Sequence, residues 1–145
     1  MDPSSFHQTI ANDFASLHEL MEDVTKFLES QDVDERTVFL ANLGIEEIVT
    51  NLVKYGYDVP GTYMIEVMVK VEAEIVLVII VDEGHPFNPV TYERKPVAAK
   101  IEDREIGGLG ILLLKKQFDR IDYRREEGRN ILELRARRQV AQPSA

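Results

Sequence analysis

Glu47 and Asn51 lie four residues apart, in a stretch whose apolar spacing predicts a helix, so a carboxylate and a carboxamide share one side of it. Leu40, Leu43 and Gly44 fall on the same stripe, and polar groups on an otherwise apolar face need partners. A positioned carboxylate can orient or deprotonate a hydroxyl, and an amide oxygen suits a hard cation. An exposed helix edge would explain the pair equally well. A second cluster is Asp82-Glu83-Gly84-His85-Pro86-Phe87-Asn88-Pro89, where an aliphatic run stops at a carboxylate and a glycine. A plain turn after a strand would also read this way. The third is Ile106-Gly107-Gly108-Leu109-Gly110-Ile111, glycines opening an amphipathic segment, which suits close approach of backbone amides to phosphate at a helix start. Helices often begin after glycines, so this cluster alone is weak.

The elements that must position these groups can be read from periodicity. Residues 6–10 fit a short strand. Asn12 or Asp13 can cap a helix in which Phe14, Leu17, Met21, Val24, Phe27 and Leu28 recur at helical spacing, ending near Gln31. A second helix fits 35–55 and stops at Gly56. Residues 62–72 alternate, with Tyr63, Ile65, Val67, Val69 and Val71 on one face and Glu66, Lys70 and Glu72 on the other. Continuously apolar 75–81 suits a central strand, and Ala73-Glu74 makes the two a hairpin. From 84 to 106 the chain carries Pro86, Pro89 and Pro96 without periodicity and reads as a mobile connection. A helix over 108–117 and strands over 121–124 and 130–136, joined through Glu126-Glu127-Gly128-Arg129, complete the chain. The expectation is an α+β fold, mostly antiparallel, with helices on one face of the sheet.

One domain is expected over 1–145, because two would each be too small to bury a stable core. Hydrophobic residues make up 44% and charged residues 30%, and no stretch is apolar for the eighteen or so residues a membrane span requires. The polar, acidic opening Met1-Asp2-Pro3-Ser4-Ser5 does not look like a signal peptide, and no cysteine is present, so disulfides and thiolate metal sites are excluded and the cytoplasm is expected. A net charge of -9 speaks against nucleic acid as a partner. The charge is uneven: nine of seventeen Lys and Arg residues lie from Lys115 onward, against nine acids and two bases up to Arg36. Such patches fit a solvated surface with a basic tail as well as a protein partner.

Taken in order, the three clusters resemble the nucleotide site of the GHKL superfamily, the histidine kinase-like ATPases. The strings Glu47-Ile48-Val49-Thr50-Asn51 and Gly107-Gly108-Leu109-Gly110-Ile111, with the ending Tyr123-Arg124-Arg125-Glu126-Glu127-Gly128-Arg129-Asn130, look most like the anti-sigma-factor serine/threonine kinases of the RsbW and SpoIIAB type. The likeness covers about residues 6–137, with a short tail after them. It implies a Bergerat-type α/β sandwich, ATP with Mg2+, a STAS-domain anti-anti-sigma protein as phosphoacceptor, a sigma factor as a second partner, and a homodimer. The apolar residues of the first helix could form a dimer face or simply be core.

Carried over residue by residue, the resemblance makes Asp82 the acceptor of the adenine amino proton and Gly84 the flat floor beneath it. Pro86 and Phe87 belong to the same nucleotide-binding string. Asn51 would hold magnesium and Glu47 would be the catalytic carboxylate. Gly107, Gly108, Leu109 and Gly110 would meet the phosphates, residues 88–106 would form an ATP lid, and Arg104 would reach the γ-phosphate. The chain departs from the family at Tyr55, where a histidine is frequent. Lys54 before it resembles the sensor histidine kinases, where a lysine can meet a phosphate, and equally fits a solvated helix end. His85 either touches ligand or is plain surface.

Two other readings compete. A sensor histidine kinase fragment would need a phosphoacceptor helix, and His18-Glu19-Leu20-Met21 offers a decoy; however, no proline lies between Pro3 and Pro60, and too few residues separate His18 from Glu47 for a dimerisation hairpin. An ATP-gated binding module without phosphate transfer would use nearly the same residues, and Glu47 is what tilts the reading towards a kinase. A metal hydrolase is disfavoured by the lack of a His/Asp cluster.

Overall fold

The computed structural model describes residues 2–91 and 108–139. Strand β1 (Ser5–Ala11) leads into helices α1 (Phe14–Ser30) and α2 (Glu35–Tyr55). The hairpin of β2 (Met64–Val71) and β3 (Ile75–Asp82) follows, then α3 (Gly108–Gln117) and the hairpin of β4 (Arg120–Glu126) and β5 (Arg129–Arg137). All the pairings are antiparallel, and the order β1-β2-β3-β5-β4 puts the apolar β3 in the centre. The fold is α+β, as expected.

Local chemistry explains where the elements start and turn. Asp13, not Asn12, caps α1, its carboxylate accepting the Ser16 backbone N–H at 2.7 Å. Asn12 instead ties the end of β1 to the approach to β2, accepting the Tyr63 N–H at 2.8 Å. Asp34 caps α2 by accepting the backbone N–H of Thr37 at 3.0 Å and its hydroxyl at 2.7 Å. In the β4–β5 turn Glu127 and Gly128 both have positive φ, 49° and 78°, the pair of left-handed residues that a tight hairpin demands.

Side chains of the central strands alternate between the two faces of the sheet. Ile65, Val67 and Val69 of β2, Val76, Val78 and Ile80 of β3, and Leu132, Leu134 and Ala136 of β5 join one core with the helices. Helix α1 contributes Leu17, Leu20, Val24 and Leu28 to it, α2 contributes Leu40, Ala41, Ile45, Ile48, Val49 and Leu52, and α3 contributes Ile111 and Leu114. Each Leu, Ile or Val among them is worth about 1.5–3 kcal/mol when fully buried. Most of the apolar residues of α1 therefore belong to this chain's own core, with Met21 and Phe27 packed against it and Phe14 exposed, so the apolar spacing of α1 by itself does not argue for a dimer face. Gly44 lets α2 approach the sheet: an added Cβ would lie 2.7 Å from a Leu134 methyl and 3.0 Å from the Phe118 ring.

No helix among the described residues is long and apolar enough to cross a membrane. Most of the expected lid, with Arg104 and Gly107, lies outside the described residues.

Candidate functional site

Asp82 closes β3 on the helix-facing side, in the series of Val76, Val78 and Ile80, and is buried with 5% of its surface exposed. Register sets Asn130 of β5 opposite it. The Asn130 amide nitrogen donates to Asp82 Oδ1 at 2.9 Å and to the His85 carbonyl at 2.8 Å, and the Gly84 N–H donates to the same Oδ1 at 2.8 Å. The Asn130 amide oxygen accepts from the Tyr123 hydroxyl at 2.5 Å and from Arg125 at 3.0 Å. Arg125 also donates to the Gly84 carbonyl at 2.8 Å. Both bonds that Asp82 receives fall on Oδ1. Oδ2 has no partner among the described residues and can accept from a ligand. Burial pushes the Asp82 carboxyl above its ordinary value, against the Asn130 and Gly84 hydrogen bonds and the Arg125 charge, which favour the ionised form.

The loop after Asp82 runs under the end of α2. The His85 N–H donates to the Gly56 carbonyl at 2.8 Å, and a Cβ on Gly84 would sit 2.8 Å from that carbonyl and 3.0 Å from Asp82 Oδ1. Only glycine fits there, so Gly84 is explained by the close pass of two backbones. Gly56 ends α2 in a right-handed conformation, φ -72°, and not through the left-handed cap that glycine commonly provides.

Beside this floor lies a cavity of about 310 Å³ lined by Tyr57, Tyr63, Glu83, Gly84, Pro86 and Arg125, among others. His85, on its wall, pairs with Asp58 at 2.9 Å. The Tyr57 and Tyr63 rings stack at 4.0 Å. The Tyr57 hydroxyl is buried without a hydrogen-bond partner among the described residues, and burial, with the Asp82 and Glu83 charges, pushes its pKa up to about 12. The cavity includes Gly84 and Pro86 but does not reach Glu47 or Asn51.

Those two stand on α2, both half-buried. The Glu47 carboxylate lies against Gly110 in the first turn of α3. Its pKa is raised, first by burial and then by repulsion from Glu46, and the exposed Lys54 draws it back. Pro86 and Phe87 are exposed, and Gly108 and Leu109 open α3. The predicted residues thus fall into two groups, Asp82 with Gly84, and Glu47 with Gly110. Asn130, Arg125 and Tyr123 were not assigned roles from sequence. Its phase with the apolar Leu132, Leu134 and Ala136 marks Asn130 as facing the core, but nothing local tells which groups it meets there.

The donors fit a nucleotide better than a protein-caged metal. Asp82 offers one open carboxylate oxygen for an amine, and Asn51 is a single neutral oxygen donor. No group of three or more His, Asp or Glu residues able to hold a metal occurs among the described residues. A magnesium ion held here would draw most of its ligands from phosphate and water, as that ion commonly does.

A family model described as the histidine kinase-like ATPase domain matches residues 10–136. Among solved structures, the RsbU and RsbW domains of Rv1364c from Mycobacterium tuberculosis align with a TM-score of 0.65 at 12% sequence identity. The alignment covers 97% of this chain and 34% of that one, so the likeness is one of fold to a part of a larger protein. No curated protein matches the sequence.

Proposed function

Because the chain belongs to the histidine kinase-like ATPase domain family, we propose that it is a single ATP-binding unit acting as an anti-sigma-factor serine/threonine kinase on a STAS-domain antagonist. One observation carries the reading: a half-buried carboxylate, Glu47, held at the start of α3 and one helical turn from the amide of Asn51. In this scheme Asp82 Oδ2 accepts the adenine amino proton and Gly84 leaves room for the ring. Asn51 would hold magnesium, which would neutralise phosphate charge. Glu47 takes the proton of the acceptor hydroxyl as its oxygen bonds to the γ-phosphorus. The bond to the β-phosphate oxygen breaks, and ADP leaves. Lys54 is placed to offset negative charge near Glu47. Incubation with labelled ATP, magnesium and the STAS-domain proteins of the same organism tests the proposal. Label on a serine or threonine supports it, and no label on any of them overturns it.

Asp82→Asn is expected to weaken ATP binding more than tenfold by calorimetry, since a charge-assisted hydrogen bond contributes about 1.5–3 kcal/mol. Unchanged affinity would remove Asp82 from the site. The same variant should keep or raise stability at neutral pH. In the wild type the Asp82 pKa is raised by folding, so ionising it costs stability that is absent below the ordinary carboxylate range, builds as the pH rises to the raised value and is complete above it. Denaturation of both proteins at several pH values checks the sign.

A homodimer comes from the family likeness alone. A monomeric mass by light scattering at micromolar concentration would dismiss it.

A further inference from the structure

Gly110 is a half-buried residue in the first turn of α3, and no turn or positive φ requires glycine there. Its neighbour does. A Cβ built on Gly110 would overlap the Glu47 Oε2 and Cδ atoms and lie 2.8 Å from Oε1, so the whole carboxylate occupies the space that a side chain would take. The contrast with the other close-packed glycines is informative: at Gly44 the obstacles are the core side chains Leu134 and Phe118, and at Gly84 one is backbone. Among these three glycines, only at Gly110 is the obstacle solely the end of a flexible, ionisable side chain.

We infer that Gly110 is a positioning residue for Glu47, its missing side chain forming the seat in which the carboxylate is held between α2 and α3. The inference deepens the kinase reading and rests on it for the chemistry, but the seat itself is a contact that can be tested without activity. A glycine kept for phosphate approach would act through its backbone N–H, which alanine retains. A glycine kept for Glu47 acts through empty volume, which alanine fills. In Gly110→Ala the flexible Glu47 has somewhere to go, because its carboxylate can swing towards solvent, and alanine favours helix over glycine. The variant should therefore fold while its carboxylate is misplaced.

The test is Gly110→Ala alone and combined with Glu47→Gln, with circular dichroism confirming the fold. In the single variant the side-chain carboxyl carbon resonance of Glu47 in NMR should move to that of a solvated glutamate. ATP affinity by calorimetry should change little. Transfer to the partner should fall about a hundredfold, the scale for a misplaced acid/base group. The double variant should be no slower than Glu47→Gln, since displacing a side chain that is no longer a base has no further effect on transfer. An unmoved Glu47 resonance overturns the inference whatever the activity. So does a multiplicative loss in the double variant, or a loss of ATP affinity as large as the loss of transfer, which would assign Gly110 to the phosphates. If wild type transfers no phosphate, the kinase reading fails and the resonance alone decides the seat.

Discussion

Glu47→Gln should bind ATP within a few-fold of wild type yet transfer phosphate at least about a hundredfold more slowly in single turnover. Glutamine has the same size, so it can occupy the space over Gly110 and keep one hydrogen-bonding oxygen, but it cannot take a proton. The environment of the carboxylate suits the task. Burial and the Glu46 charge raise its pKa while Lys54 opposes them, which moves a weak base towards the pH at which it works. The ionised form is the active one, so wild-type transfer should fall as the pH drops through the raised value. The residual rate of Glu47→Gln should be flat over the same interval. Transfer at the wild-type rate to a verified partner would show that Glu47 is not the base, and a module gated by ATP without catalysis would then be the better account.

Much of the architecture was legible because burial imposes periodicity. Leu17, Val24 and Leu28 predicted α1, alternation at Ile65, Val67 and Val69 predicted β2, and the unbroken apolar run after Ile75 predicted a central strand. The cap was legible only to within one residue, since Asn12 and Asp13 have similar chemistry and differ in what each meets across space. For α1 the sequence left a dimer face and a core face open. Apolar spacing reports that a face is covered, and here this chain's own core covers most of it, leaving Phe14 exposed. For the site, residue types marked Asp82, Gly84, Glu47 and Gly110, but each glycine also has a packing reason that sequence does not offer. Gly84 answers to the backbone of Gly56, and Gly110 to a side chain sixty-three positions earlier. Contacts between distant segments leave no local pattern, and Asn130 was missed for that reason.

Asn130→Ala is accordingly expected to damage both stability and nucleotide binding. The amide joins five groups, Asp82, Gly84, His85, Tyr123 and Arg125, at the end of the β3–β5 pair. Some retain other bonds after truncation: Asp82 Oδ1 keeps the Gly84 N–H, and the Gly84 carbonyl keeps Arg125. The His85 carbonyl and the Tyr123 hydroxyl lose their bonds to Asn130. Both groups are only partly buried, so at the low end of about 1–3 kcal/mol for each group left unsatisfied the loss should be on the order of 2 kcal/mol, or a fall in Tm of about six degrees. Binding should suffer through Asp82. With one of its two anchors removed the carboxylate can rotate, and Oδ2 is no longer held in the direction a ligand amine must approach. ATP affinity should fall about tenfold even at a temperature where the variant is fully folded. Asn130→Asp separates the contributions, since it keeps the size but sets a second carboxylate beside Asp82. Like charges would lift the Asp82 pKa further and make ATP binding fail at a higher pH than in wild type. Calorimetry across pH on the two variants, beside thermal melts, is the measurement. Normal ATP affinity in folded Asn130→Ala would mean that Asp82 is oriented by the Gly84 turn alone.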